Sequence, residues 1–177
     1  MLVLDAHTSA PNLKLPTALT GFRITLIQHI ADDHTIREIA TELDTTVDVL
    51  KNHFRVLRHA LYCRSLAALV YKAGRHGLLR QVAGEQPALT RRHREVLRLH
   101  ARGFAEPEIA HRLWLSPNTV HTHTSHARQR CGTRSVAAAI NIAHSHGLLT
   151  SGCCDGTGGG CDWPDCPLRV SWKGQPE

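Results

Sequence analysis

The chain has 177 residues and a formal net charge of +6, enough for one domain or two small ones, each with a modest core. Aromatic residues make up only 5%, which favours small, closely packed helices over a large sheet, and no apolar run approaches the ~18 residues of a membrane span. The opening stretch carries Asp5 and His7 and lacks the basic-then-apolar layout of a signal segment, so a soluble, cytoplasmic protein with no membrane partner is expected.

The charge is unevenly spread. Counting Lys and Arg against Asp and Glu, residues 18–80 carry about +3, residues 81–149 about +5 and residues 150–177 about −2. A basic middle with a mildly acidic tail suits a protein that meets a polyanion.

An internal repeat organises the middle. Residues 18–79 lie over residues 88–149 at a constant offset of 70, and about 19 of the 62 aligned positions are identical, far above the ~6% expected by chance. The identities cluster at Ala18-Leu19-Thr20 over Ala88-Leu89-Thr90, Glu38-Ile39-Ala40 over Glu108-Ile109-Ala110, Arg64-Ser65 over Arg134-Ser135, and His76-Gly77-Leu78-Leu79 over His146-Gly147-Leu148-Leu149. The expected organisation is therefore an extension (1–17), a first module (18–79), a linker (80–87), a second module (88–149) and a tail (150–177). The fold class is all-α: two tandem four-helix helix-turn-helix modules followed by an irregular, Cys-containing tail.

In the first module, Thr46 is the expected N-cap of the third helix. From Val47 to Leu61 the apolar residues Val47, Leu50, Phe54, Leu57 and Leu61 form one stripe at helical spacing. Lys51, Asn52, Arg55 and His59 fall opposite, with Arg58 at the edge. A helix-turn-helix buries one face of its second helix and offers the other to the major groove, where long cations and an amide can meet base edges and phosphates. The plainer reading of the same face is a solvated helix surface.

The linker, Arg80 to Pro87, is polar with Gly84 and Pro87. As a free coil it would average ~16 Å and reach ~28 Å at full stretch, so the modules must be neighbours. In the second module Thr90 caps a first helix from Arg91 to Arg102, ended by Gly103. A second helix is expected from Glu106 to Leu113. Ser116-Pro117 then supplies an N-cap followed by Pro at the first helical position, starting a third helix that ends near Arg130 or Cys131. The fourth runs from Ser135 to about His146 and stops at Gly147. His121, His123 and His126 crowd the third helix, but His121 and His123 are ~200° apart around its axis, which argues against a shared metal.

Leu89-Thr90-Arg91-Arg92-His93-Arg94-Glu95-Val96-Leu97, Glu108-Ile109-Ala110 and Leu115-Ser116-Pro117-Asn118-Thr119-Val120-His121-Thr122-His123 closely resemble the LuxR-type (GerE-type) DNA-binding domain. Sigma-factor region 4 shares a smaller part of the pattern. Through the repeat, the resemblance extends more weakly to residues 19–79. It implies double-stranded DNA as partner and three base-contacting positions along the third helix. By alignment these are His121, Thr122 and Ser125 in the second module, and Lys51, Asn52 and Arg55 in the first. The family usually has Lys at the first of these positions, where the second module has His121. Ser116, Asn118, Thr119 and Arg128 match family positions suited to phosphate contacts. The first module is thus expected to supply most sequence discrimination and the second mainly anchoring.

The resemblance also implies dimerisation through the fourth helix. Leu66, Leu69, Val70 and Ala73 in one module, and Val136, Ala139, Ile140 and Ala143 in the other, could pair within the chain, pair between chains, or only complete each core. Four cysteines crowd the tail, and Cys153, Cys161 and Cys166 are candidate zinc ligands, against a tail that binds no metal. Cys63 and Cys131 read as structural.

No phosphate loop, zinc-protease motif or activated nucleophile is visible, so no enzymatic activity is expected. A receiver or sensing domain would need on the order of 100 residues, and only about 17 precede the first module. The favoured expectation is a sequence-specific DNA-binding transcriptional regulator with two helix-turn-helix modules. The rival is an adaptor that binds a sigma factor or a full-length regulator through its helices.

Overall fold

The computed structural model describes residues 20–149, and the regular structure among them is entirely helical. The tail, with the zinc expectation for Cys153, Cys161 and Cys166, lies outside the described residues. Eight helices follow in order: α1 (Gly21–Ala31), α2 (Ile36–Glu42), α3 (Val47–Ala60), α4 (Leu66–Arg75), α5 (Arg91–Ala101), α6 (Glu106–Leu113), α7 (Pro117–Arg130) and α8 (Val136–Ser145). Each of the first four has a counterpart of the same or nearly the same length 70 residues later.

Short polar side chains start most of these helices by taking up orphan backbone N–H groups. Thr46 accepts from the Val49 N–H and Ser116 from that of Thr119, so both third helices begin where the sequence indicates. Ser65 and Ser135 do the same for α4 and α8. The expected last residue of α5, Arg102, is its C-cap, and Gly103 follows at φ +88°. At α2 a reciprocal capping box joins Thr35 and Glu38. At α6 only half of it can form, because Ala105 has no side-chain oxygen; Glu108 still accepts from the Ala105 N–H at 2.7 Å.

The first core gathers Leu26, Ile27, Ile39, Leu50, Leu57 and Leu69, all essentially inaccessible. Burial of such side chains stabilises by roughly 1.5–3 kcal/mol each. In the second set Val96, Ile109 and Val120 form one cluster, and Leu97, Ala127, Ile140 and Ala143 another.

α4 lies against α8. Ala137 of α8 joins the first core, while Ala67 and Tyr71 of α4 pack on the second. The approach is close: a Cβ at Gly74 would sit 3.1 Å from Nδ1 of His144, whose ring meets Tyr71 edge-on at 5.5 Å. Two ion pairs flank this seam, Arg64 to Glu108 at 3.1 Å and Arg134 to Glu38 at 2.9 and 3.1 Å. Arg64 and Arg134 are 70 residues apart, as are Glu38 and Glu108. The same contact is therefore made twice, related by the repeat, as in a twofold interface where each side offers the same patch.

Around each pair the two sides differ. Asp33 accepts from the N–H groups of Arg134 and Ser135 at 2.6 and 2.8 Å, fixing the turn that leads into α8 from the opposite set. Gly103 holds the matching position, and a Cβ there would come within 3.1 Å of the Arg64 Cβ. Residues 80–87 do not run as a free coil throughout. The Arg80 N–H donates to Gln28, its guanidinium pairs with Asp32 at 2.8 Å, and the Val82 N–H donates to Ser145.

Candidate nucleic-acid interface

α2 and α3, and likewise α6 and α7, are antecedent and following helices of a tight turn. Each turn uses one left-handed residue at the matching position, Asp44 (φ 47°) and Trp114 (φ 54°). Trp114 is 91% exposed, with the ring of His111 stacked beside it.

α3 buries Leu50, Phe54 and Leu57, while Lys51, Asn52, Arg55 and His59 are exposed. Arg55 Nη2 donates to Asn52 Oδ1 at 2.7 Å, which holds a guanidinium and an amide side by side on the outward face. Lys51 pairs with Asp48 at 3.3 Å. Both are solvent-exposed, so the pair is weak and open to exchange for another anion. Asp48 and Val49 occupy the first turn of α3, where the second set has Asn118 and Thr119. A carboxylate there opposes a phosphate, and Val49 offers no polar side-chain group.

α7 buries Val120, Thr124 and Ala127 and exposes Ser116, Asn118, His121 and Thr122; Thr119 and Ser125 are half-buried. Thr122 spends its hydroxyl proton on the Asn118 carbonyl at 3.0 Å, which leaves an acceptor and a methyl group outward. Ser116 is engaged as cap and also lies 2.8 Å from the Thr119 hydroxyl. His121 Nδ1 stands 3.4 Å from Glu106, whereas His123 and His126 meet the ring of His93 edge-on. His121 therefore faces a different neighbour from His123 and His126, which share His93. Burial, reinforced by His123, Arg130 and His126, pushes the His93 imidazole below its ordinary range.

Arg58 and Arg128 share one structural task. Arg58 Nη1 donates to the Arg64 carbonyl at 3.4 Å, and Arg128 Nη1 to that of Arg134 at 2.8 Å. Each is half-buried and ties the end of a third helix to the loop that carries an inter-set ion-pair arginine. The Nε of each is enclosed and has no hydrogen-bond partner among the described residues. The four residues of those ion pairs, Arg64, Arg134, Glu38 and Glu108, were not among the sequence candidates. A signal was present: all four belong to the positions identical in both repeats.

Among the described residues no helix is long and apolar enough to cross a membrane. The profile described as "Bacterial regulatory proteins, luxR family" matches residues 87–143, which hold α5 to α7 and most of α8. Over 62 residues the chain is 42% identical to the transcriptional regulatory protein UhpA of Salmonella typhimurium, covering 35% of this chain and 30% of that one. It is 37% identical over 87 residues to the "Probable transcriptional regulatory protein NarL" of Mycobacterium tuberculosis, covering 49% and 40%. To the spore germination protein GerE of Bacillus subtilis it is 38% identical over 55 residues, covering 31% of this chain and 74% of GerE. The match thus spans well under half of UhpA and NarL but most of GerE. No solved structure matches the chain significantly. Matching residues, the helix-turn-helix geometry of α6 and α7 and the cover of GerE agree: the chain belongs to the luxR family of bacterial regulatory proteins, which are not enzymes.

Proposed function

We propose that the chain is a sequence-specific, double-stranded-DNA-binding transcriptional regulator that acts in the cytoplasm and uses two LuxR-type modules, residues 18–79 and 88–149. The observation that carries this reading is the repeated seam. α4 packs on α8, and the Arg64–Glu108 and Arg134–Glu38 pairs flank it in related positions. The seam supports an intramolecular counterpart of a helix-four dimer, with α3 and α7 as its two reading helices. Lys51, Asn52 and Arg55 supply long polar side chains for base edges. Ser116, Asn118 and Thr119 leave an α7 N-terminus free of acidic side chains for phosphate.

One observation favours a narrower version. Asp48 and Val49 weaken phosphate anchoring at α3, so the first module could serve as a built-in partner for a single DNA-binding module. Gel-shift titrations on genomic fragments separate the readings. If both modules dock, about 6–10 phosphates are neutralised and affinity drops ~10³–10⁵-fold between 50 and 200 mM salt. Arg55→Ala should then flatten the preference for specific over scrambled DNA by ~1–3 kcal/mol, while Ser125→Ala changes it little. Loss of discrimination in Ser125→Ala alone would favour the narrower version. No binding even at low salt would overturn the DNA reading and leave the adaptor role.

A further inference from the structure

We propose that His29, His34 and Glu42 form a binding site for a zinc-class divalent metal ion, unrelated to the DNA-reading faces and to the tail cysteines. One ligating atom from each of the three lies within 4.8 Å of the other two. His29 Nδ1 is 3.6 Å from a Glu42 carboxylate oxygen, and the two imidazole rings stand 5.2 Å apart, edge to face. Zinc bonds of 2.0–2.2 Å to nitrogen and oxygen at tetrahedral angles set neighbouring ligands about 3.3 Å apart. The His29–Glu42 spacing is near that value and the His34 atom lies within 4.8 Å of both, so side-chain rotation at His34 closes the site.

The donor set suits the ion. Two imidazoles and one carboxylate are borderline ligands of the kind zinc accepts, and three protein ligands leave one position for water. Nδ1 of His34 is enclosed and has no hydrogen-bond partner among the described residues. A buried ring nitrogen without a partner is costly, and it calls for a reason. His29 lies near the end of α1, His34 on the turn, and Glu42 at the end of α2, so an ion would clamp the first two helices. The turn itself is gripped from the other side, since Arg134 donates to the Asp33 carbonyl at 2.8 Å.

The repeat supplies an internal control. The positions 70 residues on are Leu99, Phe104 and Arg112, where Leu99 is buried and the guanidinium lies 3.8 Å over the Phe104 ring. The same scaffold therefore folds there with no ligand atoms. Nothing in the helix packing requires His, His and Glu in the first set.

The test is titration of the full-length protein with Zn²⁺ and with Co²⁺ as a spectroscopic stand-in. In one parent variant Cys153, Cys154, Cys161 and Cys166 are replaced by Ser. Burial pushes the thiols of Cys63 and Cys131 up, the latter to about 11, which makes them poor competitors. The parent should bind one ion, with visible cobalt bands but no thiolate charge-transfer band, and should melt at a higher temperature with zinc. Glu42→Gln, at an exposed position, should weaken binding at least ~10-fold. The double variant His29→Leu/His34→Phe copies the second set; it should keep its helical circular dichroism and lose the ion. A parent that takes up no Zn²⁺ at micromolar concentration would overturn the proposal. So would an affinity equal to the parent's in Glu42→Gln or in the double variant, or a thiolate band in the parent.

Discussion

His100 sits behind α7, with Nε2 3.1 Å from the hydroxyl of buried Thr124. Burial is the main force pushing its imidazole below the ordinary 6.5, and the Glu106 carboxylate only partly offsets it. His144, wedged between Tyr71 and Gly74, is lowered by burial and then by Arg75; His93 and His76 are lowered in the same direction. A base whose folded pKa is depressed binds fewer protons in the native state than when unfolded. Stability is therefore complete above about pH 6.5 and falls as pH drops through that value towards the folded pKa. Glu38 works in a separate window: Arg134, then the Thr35 N–H, holds its carboxyl down at about 2, so its contribution persists until far lower pH. Urea unfolding should show stability declining between about pH 7 and pH 5, with a shallower decline in His100→Gln, which cannot titrate. A stability that is flat or rising on acidification over that range would contradict the burial of these rings.

Between elements, one close fit is Gly74 of α4 against His144 of α8. Gly74 is helical, so its lack of a side chain serves the approach and not the backbone conformation. Gly74→Leu should destabilise by about 1–3 kcal/mol, the usual cost of overpacking a filled contact. Gly21→Ala has open space around its Cβ and should be neutral or slightly stabilising. Equal urea midpoints for Gly74→Leu and the wild type would mean that α4 and α8 do not meet this closely. The helices themselves were legible from local chemistry: Thr46 and Ser116 as caps, and the Leu50–Phe54–Leu57 stripe as the buried face of α3. What joins them was not. Arg134 meets Asp33 and Glu38 across about a hundred residues of chain, and no periodicity points from one to the other. The outward face of α3 was visible as a pattern, but the Asn52–Arg55 bond and the loop duties of Arg58 and Arg128 depend on side-chain placement. His29, His34 and Glu42 were hidden for a further reason: each looks like an isolated polar residue until α1 and α2 fold back on one another.

At the scale of the whole molecule, the seam decides how many DNA segments one chain can meet. α4 on α8, two flanking ion pairs and a linker fastened at Arg80 and Val82 hold the two sets in one arrangement. On the proposed reading, the second helix-turn-helix then docks as an intramolecular event at high effective concentration, and no second chain is needed. Paired units of this kind read half-sites about one helical turn, ~34 Å, apart on one face of the duplex. A single chain should therefore protect two adjacent major-groove segments, at a stoichiometry of one chain per paired site. Adding about half a helical turn, ~5 base pairs, between the segments carries the second to the opposite face. That insertion should reduce affinity to near that of one segment alone, whereas ~10 base pairs moves the second segment another turn away on the original face, where a rigid seam cannot follow. Arg134→Ala together with Arg64→Ala loosens the seam and should soften the spacing penalty while leaving contacts at each segment intact. Protection of only one segment per chain, or an affinity indifferent to the half-turn insertion, would reject the paired arrangement and leave α7 as the sole reading helix.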